Sequence, residues 1–352
     1  MKEDEMGLEL SIVLVNYRGW RRLGRCLEAL GGLGELPFRW EAVVVDNGSG
    51  DGQLEAFRRR FPWCAFHESP GNWGFAHGCN VGAGKAAGRH LLFLNPDTEV
   101  DAAALERLWE LAGRHPEYGV VSCGQRDDRG RDTRPYGEFP SLTNLTGLHR
   151  WVRRLWCGRG AGGIEGGRGE GGDGMIFPDW VSGSLVWMRR EVFEGLGGWC
   201  EDYWLYFEDV DLCRRVREAG GRVALATGVE IRHNHGGATR SNERIKALTK
   251  WEVRISRHVY MQRHFSGWRR GMAQALLVTA SLAGHLVTGM AGVLLGFVPA
   301  MRVRARIAGH MLGYYAGALR RGTWLSPRSP TARRAGWGRG WADRPSSPAS
   351  GA

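Results

Sequence analysis

The first 125 residues alternate short apolar runs with segments of helical length, and this rhythm constrains the fold more than any other feature. The apolar runs are rich in Val, Leu and Phe and predict β-strands over Leu10–Tyr17, Trp40–Asp46, Cys64–His67 and His90–Asn95. The segments between and after them predict helices over Arg18–Leu30, Asp51–Phe61, Phe75–Ala87 and Asp101–His115. Strands that alternate with helices build a mostly parallel sheet covered on both faces, so an α/β fold is expected.

A second set of elements follows a glycine-rich stretch. Residues 157–174 contain few apolar side chains and predict a flexible loop. Beyond it we expect a strand over Trp180–Arg189, a helix over Glu208–Ala219 and a strand around Arg222–Ala226. Together with the first half, these elements predict one domain over residues 1–265.

The C-terminal part has a different composition. Met272–Val298 contains no Asp, Glu, Lys or Arg and is long enough to span a bilayer, but arginines flank both of its ends. A membrane span, a hairpin in one leaflet, an interfacial helix and a soluble helical hairpin all remain open. We predict a membrane-associating helical segment over residues 266–321. The following residues, 322–352, are rich in Pro, Ser, Arg and Gly and predict a disordered tail.

The positive charge is concentrated in that C-terminal part. The formal net charge is +11, and residues 271–352 contain ten arginines but a single acid, Asp343. A nucleic-acid groove would distribute basic residues over the main domain, so we expect no nucleic-acid partner. The arginines instead suit an anionic partner such as a membrane surface.

The termini and the cysteines suggest where the protein works. The first nine residues are acidic and lack the basic and apolar regions of a signal peptide. The seven cysteines show no metal-ligand spacing, which favours reduced thiols in the cytosol. We therefore expect the protein on the cytoplasmic face of the inner (plasma) membrane.

Acidic residues follow two of the predicted strands at the edge where ligands bind in such sheets. Asp46 could accept hydrogen bonds from a ribose hydroxyl or a pyrimidine N–H, or it could simply form a turn. Asp97 ends the tripeptide Asn95-Pro96-Asp97, where it could hold a divalent cation against a diphosphate or cap the next helix. Tyr17 could stack on a base, although this residue taken alone favours a rim aromatic without that role.

Two further motifs carry side chains that suit transfer chemistry. Glu208 and Asp209 begin a predicted helix, where acids also complement the helix dipole, and one of them could take a proton from an acceptor hydroxyl. His233, in the sequence HNHGG, could complete a metal site or contact a diphosphate, and a structural histidine is the alternative.

In this order, the motifs resemble the family 2 glycosyltransferases of the GT-A fold, especially the bacterial rhamnosyltransferase-like branch. The matching stretches, within residues 10–265, are SIVLVNY (11–17), VVVDNGSGDG (43–52), GNWGFAHGCNVG (71–82), LLFLNPDTEV (91–100), DWVSGSLVWMRREVFEGLGGW (179–199), YFEDVDLCRRVREAGGRV (206–223) and HNHGG (233–237). The resemblance implies a GT-A type, Rossmann-like, mostly parallel sheet with flanking helices. A C-terminal apolar and basic helical segment would follow it.

The resemblance also implies roles for individual residues. Tyr17, Asp46, Asn95 and Asn80 would bind the donor together with Asp97, and Asp97 and His233 would hold Mg²⁺ or Mn²⁺. Asp209 would be the catalytic base, with Glu208 beside it. Asn95 stands where many relatives have an acid, which bears on the strength of metal dependence.

The implied reaction is an inverting transfer of a sugar, rhamnose being one candidate. The donor would be a nucleotide-diphosphate sugar, and the acceptor a lipid-linked or polysaccharide glycan of the cell surface. Two alternatives remain at this point: a nucleotidyltransferase, which shares the sheet and the metal carboxylates, and a membrane-recruited, non-catalytic protein that binds sugar nucleotides.

Overall fold

A computed structural model describes residues 7–145, 174–234, 243–294 and 298–337. The predicted flexible loop over residues 157–174 lies outside these ranges except for its last residue. The strands, numbered in chain order, are β1 Leu10–Asn16, β2 Trp40–Asp46, β3 Cys64–Glu68, β4 His90–Leu94, β5 Thr98–Glu99, β6 Tyr118–Arg126, β7 Asp132–Thr133, β8 Tyr136–Gly137, β9 Met175–Ile176, β10 Trp180–Val181, β11 Leu185–Arg189 and β12 Arg222–His233.

The helices are distributed along the whole described chain. In order they are α1 Trp20–Gly31, α2 Leu54–Arg60, α3 Phe75–Lys85, α4 Ala102–Arg114, α5 Arg190–Gly195, α6 Glu208–Glu218, α7 Glu243–His264, α8 Gly267–Leu294, α9 Pro299–Arg321 and α10 Pro330–Arg334.

One large sheet organises the first compact unit, which comprises Met1–Asn72, Gly78–Cys200 and Glu208–Ile245. Its main strand order is β3-β2-β1-β4-β11-β6-β12-β5. The strands β3, β2, β1 and β4 pair in parallel, β11 pairs antiparallel with both β4 and β6, and β12 runs parallel to β6. The mostly parallel α/β sheet predicted from the sequence is therefore confirmed.

The predicted elements agree with the structure within a few residues at most ends. The strand predicted over Trp180–Arg189 is divided into β10 and β11, with Ser182-Gly183-Ser184 between them. The strand predicted around Arg222–Ala226 continues to His233. Strand β6 was not predicted, although Val120, Val121 and Cys123 are fully or almost fully buried.

The core of the sheet is formed by the apolar runs that predicted the strands. Ile12, Val44 and Leu92, on three adjacent strands, have no exposed surface and join one hydrophobic cluster. On the opposite face, α3 lies very close to β1: a Cβ added at Gly82 would meet Val13 Cγ1 at 2.4 Å. Glycine at this position lets the helix approach the strand.

The second compact unit comprises Trp73–His77, Glu201–Phe207 and Lys246–Ala352. Its described helices include most of α7 together with α8, α9 and α10. No helix in the described part of the chain is long and apolar enough to cross a membrane. The division into units thus differs from the single domain predicted over residues 1–265, because two short earlier segments pack with the C-terminal helices.

The described end of the chain also differs from the predicted disordered tail. Residues 322–337 include α10, whose first turn is capped by Ser329 through a hydrogen bond from the Ala332 amide. Ser326, Ser329 and Ala332 have no exposed surface. Buried contacts of this kind order a segment whose composition alone indicates flexibility, and residues 338–352 lie outside the described range.

Candidate active site

Several of the predicted site residues lie at one edge of the large sheet. The parallel strands β1, β2, β4, β6 and β12 all end at this edge, and the antiparallel strand β11 begins there. Polar residues at or just after those ends are Asn16, Asp46, Asn95, Asp97, Gln125 and His233, with Ser184 immediately before β11. The edge therefore gathers side chains from distant parts of the chain.

Asp46 lies at the end of β2 and is only 1% exposed. Its Oδ2 accepts a hydrogen bond from the Ser49 amide at 3.1 Å, and its Oδ1 accepts from the Ser49 hydroxyl and from Asn16 Nδ2 at 3.3 Å. Burial raises the pKa of the Asp46 carboxyl, while the bonds from Ser49 oppose that rise. Asp46 thus holds the turn in place. A sugar-nucleotide donor would have to use the carboxylate lone pairs that these hydrogen bonds leave open.

The turn after Asp46 is tightly packed. Gly48 has a φ of +73°, and a Cβ added there would lie 2.4 Å from Gly71 Cα. Tyr17 follows β1 nearby in the sheet order, with the Arg18 guanidinium 5.4 Å from the centre of its ring. If Tyr17 stacks on a base, it does so with the Arg18 guanidinium already beside its ring.

Asp97 and His233 lie beside each other, and their role as metal ligands stays a prediction. His233 Nε2 lies 3.2 Å from Asp97 Oδ1, and the Asn234 amide donates to the Asp97 carbonyl at 2.9 Å. His233 Nδ1 lies 2.8 Å from Gln125 Oε1, and Gln125 Nε2 donates to the Ser184 hydroxyl at 2.7 Å. Because the amide nitrogen of Gln125 is used by Ser184, its oxygen accepts the Nδ1 proton of His233. In the neutral ring this leaves the Nε2 lone pair facing the Asp97 carboxylate.

This pair fits a divalent cation that takes its remaining ligands from phosphate and water. A carboxylate oxygen and an imidazole nitrogen are both ordinary ligands of such ions, and Mg²⁺ commonly binds through one or two carboxylates plus substrate phosphates. The described residues contain no group of three or more His, Cys, Asp or Glu side chains that could hold a metal alone. A cation here would therefore depend on the bound diphosphate for part of its coordination.

The two acidic residues at the start of α6 lie in different environments. Asp209 Oδ2 accepts a hydrogen bond from the Gly183 amide at 3.0 Å, and Oδ1 accepts from the Val210 amide at 2.9 Å. Burial raises the pKa of Asp209, and these amides oppose the rise. Burial, followed by the charge of Asp209, raises the pKa of Glu208 well above its ordinary value. The amides of Gly183 and Val210 thus stabilise the charged form of Asp209, whereas burial and the charge of Asp209 disfavour the charged form of Glu208.

The segment between β10 and β11 connects Asp209 with the Asp97 turn. The Gly183 amide bonds Asp209, and the Ser184 carbonyl accepts from the Asn95 amide at 2.9 Å. Since the Ser184 hydroxyl also accepts from Gln125, this segment contacts Asp209, the Asp97 turn and the glutamine that supports His233. Ser184 and Gln125 were missed in the sequence, although the Ser-Gly-Ser break in an apolar strand was a visible signal.

Asn80, predicted to bind the donor, makes a different set of contacts. Its Oδ1 accepts from the Trp199 amide and its Nδ2 donates to the Trp199 carbonyl, both at 2.9 Å. The structure thus assigns the Asn80 amide a supporting role for the Gly198-Trp199 turn. Donor binding by Asn80 stays a prediction.

Comparisons with known proteins agree with this architecture. Residues 11–161 match the family model described as Glycosyl transferase family 2. N-acetylglucosaminyl-diphospho-decaprenol L-rhamnosyltransferase of Mycobacterium tuberculosis is 26% identical over 295 residues, which cover 79% of this chain and 92% of that protein. The low-salt glycan biosynthesis hexosyltransferase Agl10 of Haloferax volcanii is 24% identical over 236 residues, 64% of this chain and 67% of the relative.

Two solved structures share the fold. GalNAc-T7 with UDP, GalNAc and Mn²⁺ superposes with a TM-score of 0.51 at 14% identity, over 74% of this chain and 52% of its own. The mannosyltransferase PcManGT from Pyrobaculum calidifontis, in complex with GDP-Man and Mn²⁺, gives a TM-score of 0.50 at 16% identity over 90% of both chains. These likenesses confirm the GT-A fold.

Proposed function

We propose that this chain, whose residues 11–161 match the glycosyl transferase family 2 model, transfers a sugar such as rhamnose, with inversion, in cell-surface glycan synthesis. The donor is a nucleotide-diphosphate sugar, and the acceptor is a hydroxyl of a lipid-linked or polysaccharide glycan. The relative from Mycobacterium tuberculosis, by its name, works on a diphospho-decaprenol acceptor, which supports a lipid-linked substrate here.

One observation carries the assignment of roles: Gly183-Ser184 bonds both the Asp209 carboxylate and the Asn95-Asp97 turn. A transferase of this kind needs its base on one side of the anomeric carbon and its leaving-group support on the other. The Gly183 amide and the Ser184 carbonyl are adjacent backbone groups. Because one bonds the base and the other bonds the Asn95-Asp97 turn, they keep the distance between base and leaving-group support constant.

The reaction then follows from the positions of these groups. Asp209 accepts the proton of the acceptor hydroxyl while that oxygen bonds to the anomeric carbon and the bond to the diphosphate breaks. Asp97 and His233 would hold Mg²⁺ or Mn²⁺, which offsets the charge of the departing nucleoside diphosphate. Burial disfavours the charged form of Glu208, so we assign the proton-accepting role to Asp209.

We propose that the protein acts at the cytoplasmic face of the inner membrane. Most of the large exposed apolar side chains belong to α8 and α9: Trp268, Met272, Leu282, Leu312 and Leu319. The sequence contains no acid between Glu252 and Asp343, whereas Arg269, Arg270, Arg304 and Arg320 are exposed on these helices. Apolar residues among arginines, without acids, suit an anionic lipid surface.

The decisive experiment compares the natural protein with Asp209→Asn. The amide keeps an oxygen for the Gly183 bond but cannot accept a proton, so transfer should fall by about 10²- to 10⁴-fold while donor binding persists. Donor binding is followed as thermal stabilisation by nucleotide sugars with Mg²⁺ or Mn²⁺. Near-normal transfer by Asp209→Asn would contradict the assignment. Release of pyrophosphate in place of nucleoside diphosphate would indicate a nucleotidyltransferase.

A further inference from the structure

The segment that leads into the proposed base has an unusual backbone. Tyr206 and Phe207, immediately before Glu208 and Asp209, both have a φ of +70°. Aromatic residues rarely adopt this left-handed conformation, because it strains the backbone of a residue that carries a Cβ. Two in succession persist only where the surroundings hold the chain firmly, so the contacts of residues 201–207 decide where α6 begins.

The following contacts of this segment lie within the second compact unit. The Leu205 carbonyl accepts a hydrogen bond from the Ser256 hydroxyl at 2.9 Å, and the Trp204 carbonyl accepts from the Phe75 amide at 3.1 Å. The Phe207 ring lies edge-on to Tyr260, with ring centres 6.0 Å apart. Helix α7, which carries Ser256 and Tyr260, therefore supports the segment along one side.

Arg328 supplies a second support, from near the end of the described chain. Its guanidinium lies 5.2 Å from the Trp204 ring centre and 6.0 Å from that of Trp251. Its Nε lies 3.7 Å from Oε1 of Glu252, a carboxylate on α7 that is 1% exposed. Arg328 itself is 17% exposed. The guanidinium thus sits between a buried carboxylate and the indole of the segment.

The buried carboxylate fixes the C-terminal residues as well. Glu252 Oε2 accepts from the Ser326 hydroxyl at 3.0 Å, and Oε1 accepts from Trp251 Nε1 at 3.0 Å. Arg328 and Ser326 therefore attach the start of the C-terminal segment to α7. A largely desolvated cation between an anion and an aromatic ring contributes more than an exposed one does.

We propose that Arg328 is a positioning residue for catalysis: through Trp204 and Glu252 it holds residues 201–207 in the conformation that presents Asp209 to the acceptor. This inference rests on the proposed function, because Asp209 matters here only as the base. It assigns a role in the reaction to residues whose composition suggested a disordered tail.

The test uses the full-length chain and three variants, Arg328→Met, Arg328→Lys and the control Arg129→Met. Arg129 lies exposed in the turn between β6 and β7, in the first compact unit. Release of nucleoside diphosphate in the presence of acceptor gives kcat and the donor KM. Because small displacements of a catalytic group are costly, Arg328→Met should lower kcat by about 10- to 100-fold, and donor KM should stay within about 2-fold.

The lysine variant distinguishes positioning from stability. It keeps a charge for Glu252 but lacks the planar guanidinium over Trp204, so its kcat should fall between the natural and methionine values while the melting temperature is retained. If Arg328→Met does not fold, the kcat of Arg328→Lys still tests the positioning role. The Arg328→Met and Trp204→Phe effects on kcat should be non-additive, because both act through one contact.

The outcomes separate the inference from the proposed function. If Asp209→Asn is inactive but both Arg328 variants keep natural kcat, the positioning role is wrong and the proposed function stands. An unchanged kcat with a raised donor KM would also overturn the positioning role. If Asp209→Asn keeps its activity, the proposed base is wrong and the inference falls with it.

Discussion

Gln125 Oε1 lies 2.8 Å from His233 Nδ1, although 108 residues separate them in the chain. This contact fixes which imidazole nitrogen faces Asp97, because the Gln125 amide nitrogen is already bound to Ser184. The orientation of His233, the predicted metal ligand, is thus set by Gln125, which is not itself a predicted ligand or catalytic residue.

The first prediction concerns this support. Gln125→Met keeps most of the side-chain volume but removes the acceptor for His233, so the affinity for Mn²⁺ should fall about 10-fold or more. The concentration of Mn²⁺ that gives half-maximal transfer measures it. Gln53→Met, at an exposed position before α2, is the matched control. Equal Mn²⁺ requirements in both variants would show that His233 does not depend on Gln125.

The second prediction concerns the pH dependence of transfer. A base must be deprotonated, and burial raises the pKa of Asp209 above its ordinary value of 3.8. The rate should therefore fall as the pH drops through a midpoint higher than 3.8, and it should be constant above that midpoint until another group titrates. A log kcat profile from pH 4 to 8 tests this. A rate that stays constant down to pH 4 would be inconsistent with a buried carboxylate as the base.

The third prediction separates two roles for Asn80. Because its amide bonds both backbone groups of Trp199, Asn80→Ala should lower the free energy of unfolding by about 1–3 kcal/mol. Urea denaturation measures the loss, and donor KM measured below the melting temperature should change little. A large rise in KM without destabilisation would favour the direct donor contact predicted from the sequence.

The fourth prediction concerns stability in acid. His258 is 2% exposed, and burial lowers its pKa from 6.5 to about 4. Between these two values the unfolded chain binds the proton and the folded chain does not, so stability is lost as the pH falls through this window. The loss from this group is on the order of 3 kcal/mol.

Urea denaturation at pH 7 and pH 4.5 measures that loss, with His258→Gln as the comparison. The glutamine side chain does not titrate, so the free energy of unfolding of His258→Gln should fall less between pH 7 and pH 4.5 than that of the natural protein. Parallel losses in the two proteins would assign the acid sensitivity to other groups.

The fifth prediction tests the proposed lipid surface. Trp268 is 69% exposed and Leu319 is 73% exposed. Replacing both by Ser removes apolar surface that the lipid would bury, so binding to phosphatidylglycerol vesicles should weaken about 10-fold or more. Added salt should also weaken binding of the natural protein. Trp63→Ser, at an exposed tryptophan beside β3, is the control; equal weakening by this change would contradict a surface on α8 and α9.

The sequence predicted the strands β1 to β4 because each is a short run dominated by apolar residues. The family motifs also placed Asp97 and His233 in one site; the two side chains are 3.2 Å apart, and their role there stays a prediction. The sequence could not predict Gln125 or Ser184, because a single amide or hydroxyl shows its purpose only through a partner far away in the chain. Residues 322–337 were wrongly predicted as disordered, because composition does not show that the Ser326 hydroxyl donates to the buried carboxylate of Glu252.

The strand order also determines when the site can exist during synthesis. Strands β3, β2, β1 and β4 come from residues 10–94 and can pair as soon as that length has left the ribosome. Ser184, Gln125 and His233 close around Asp97 only after residue 233 has emerged. We therefore expect a nascent chain to lack transfer activity until the last strands are inserted.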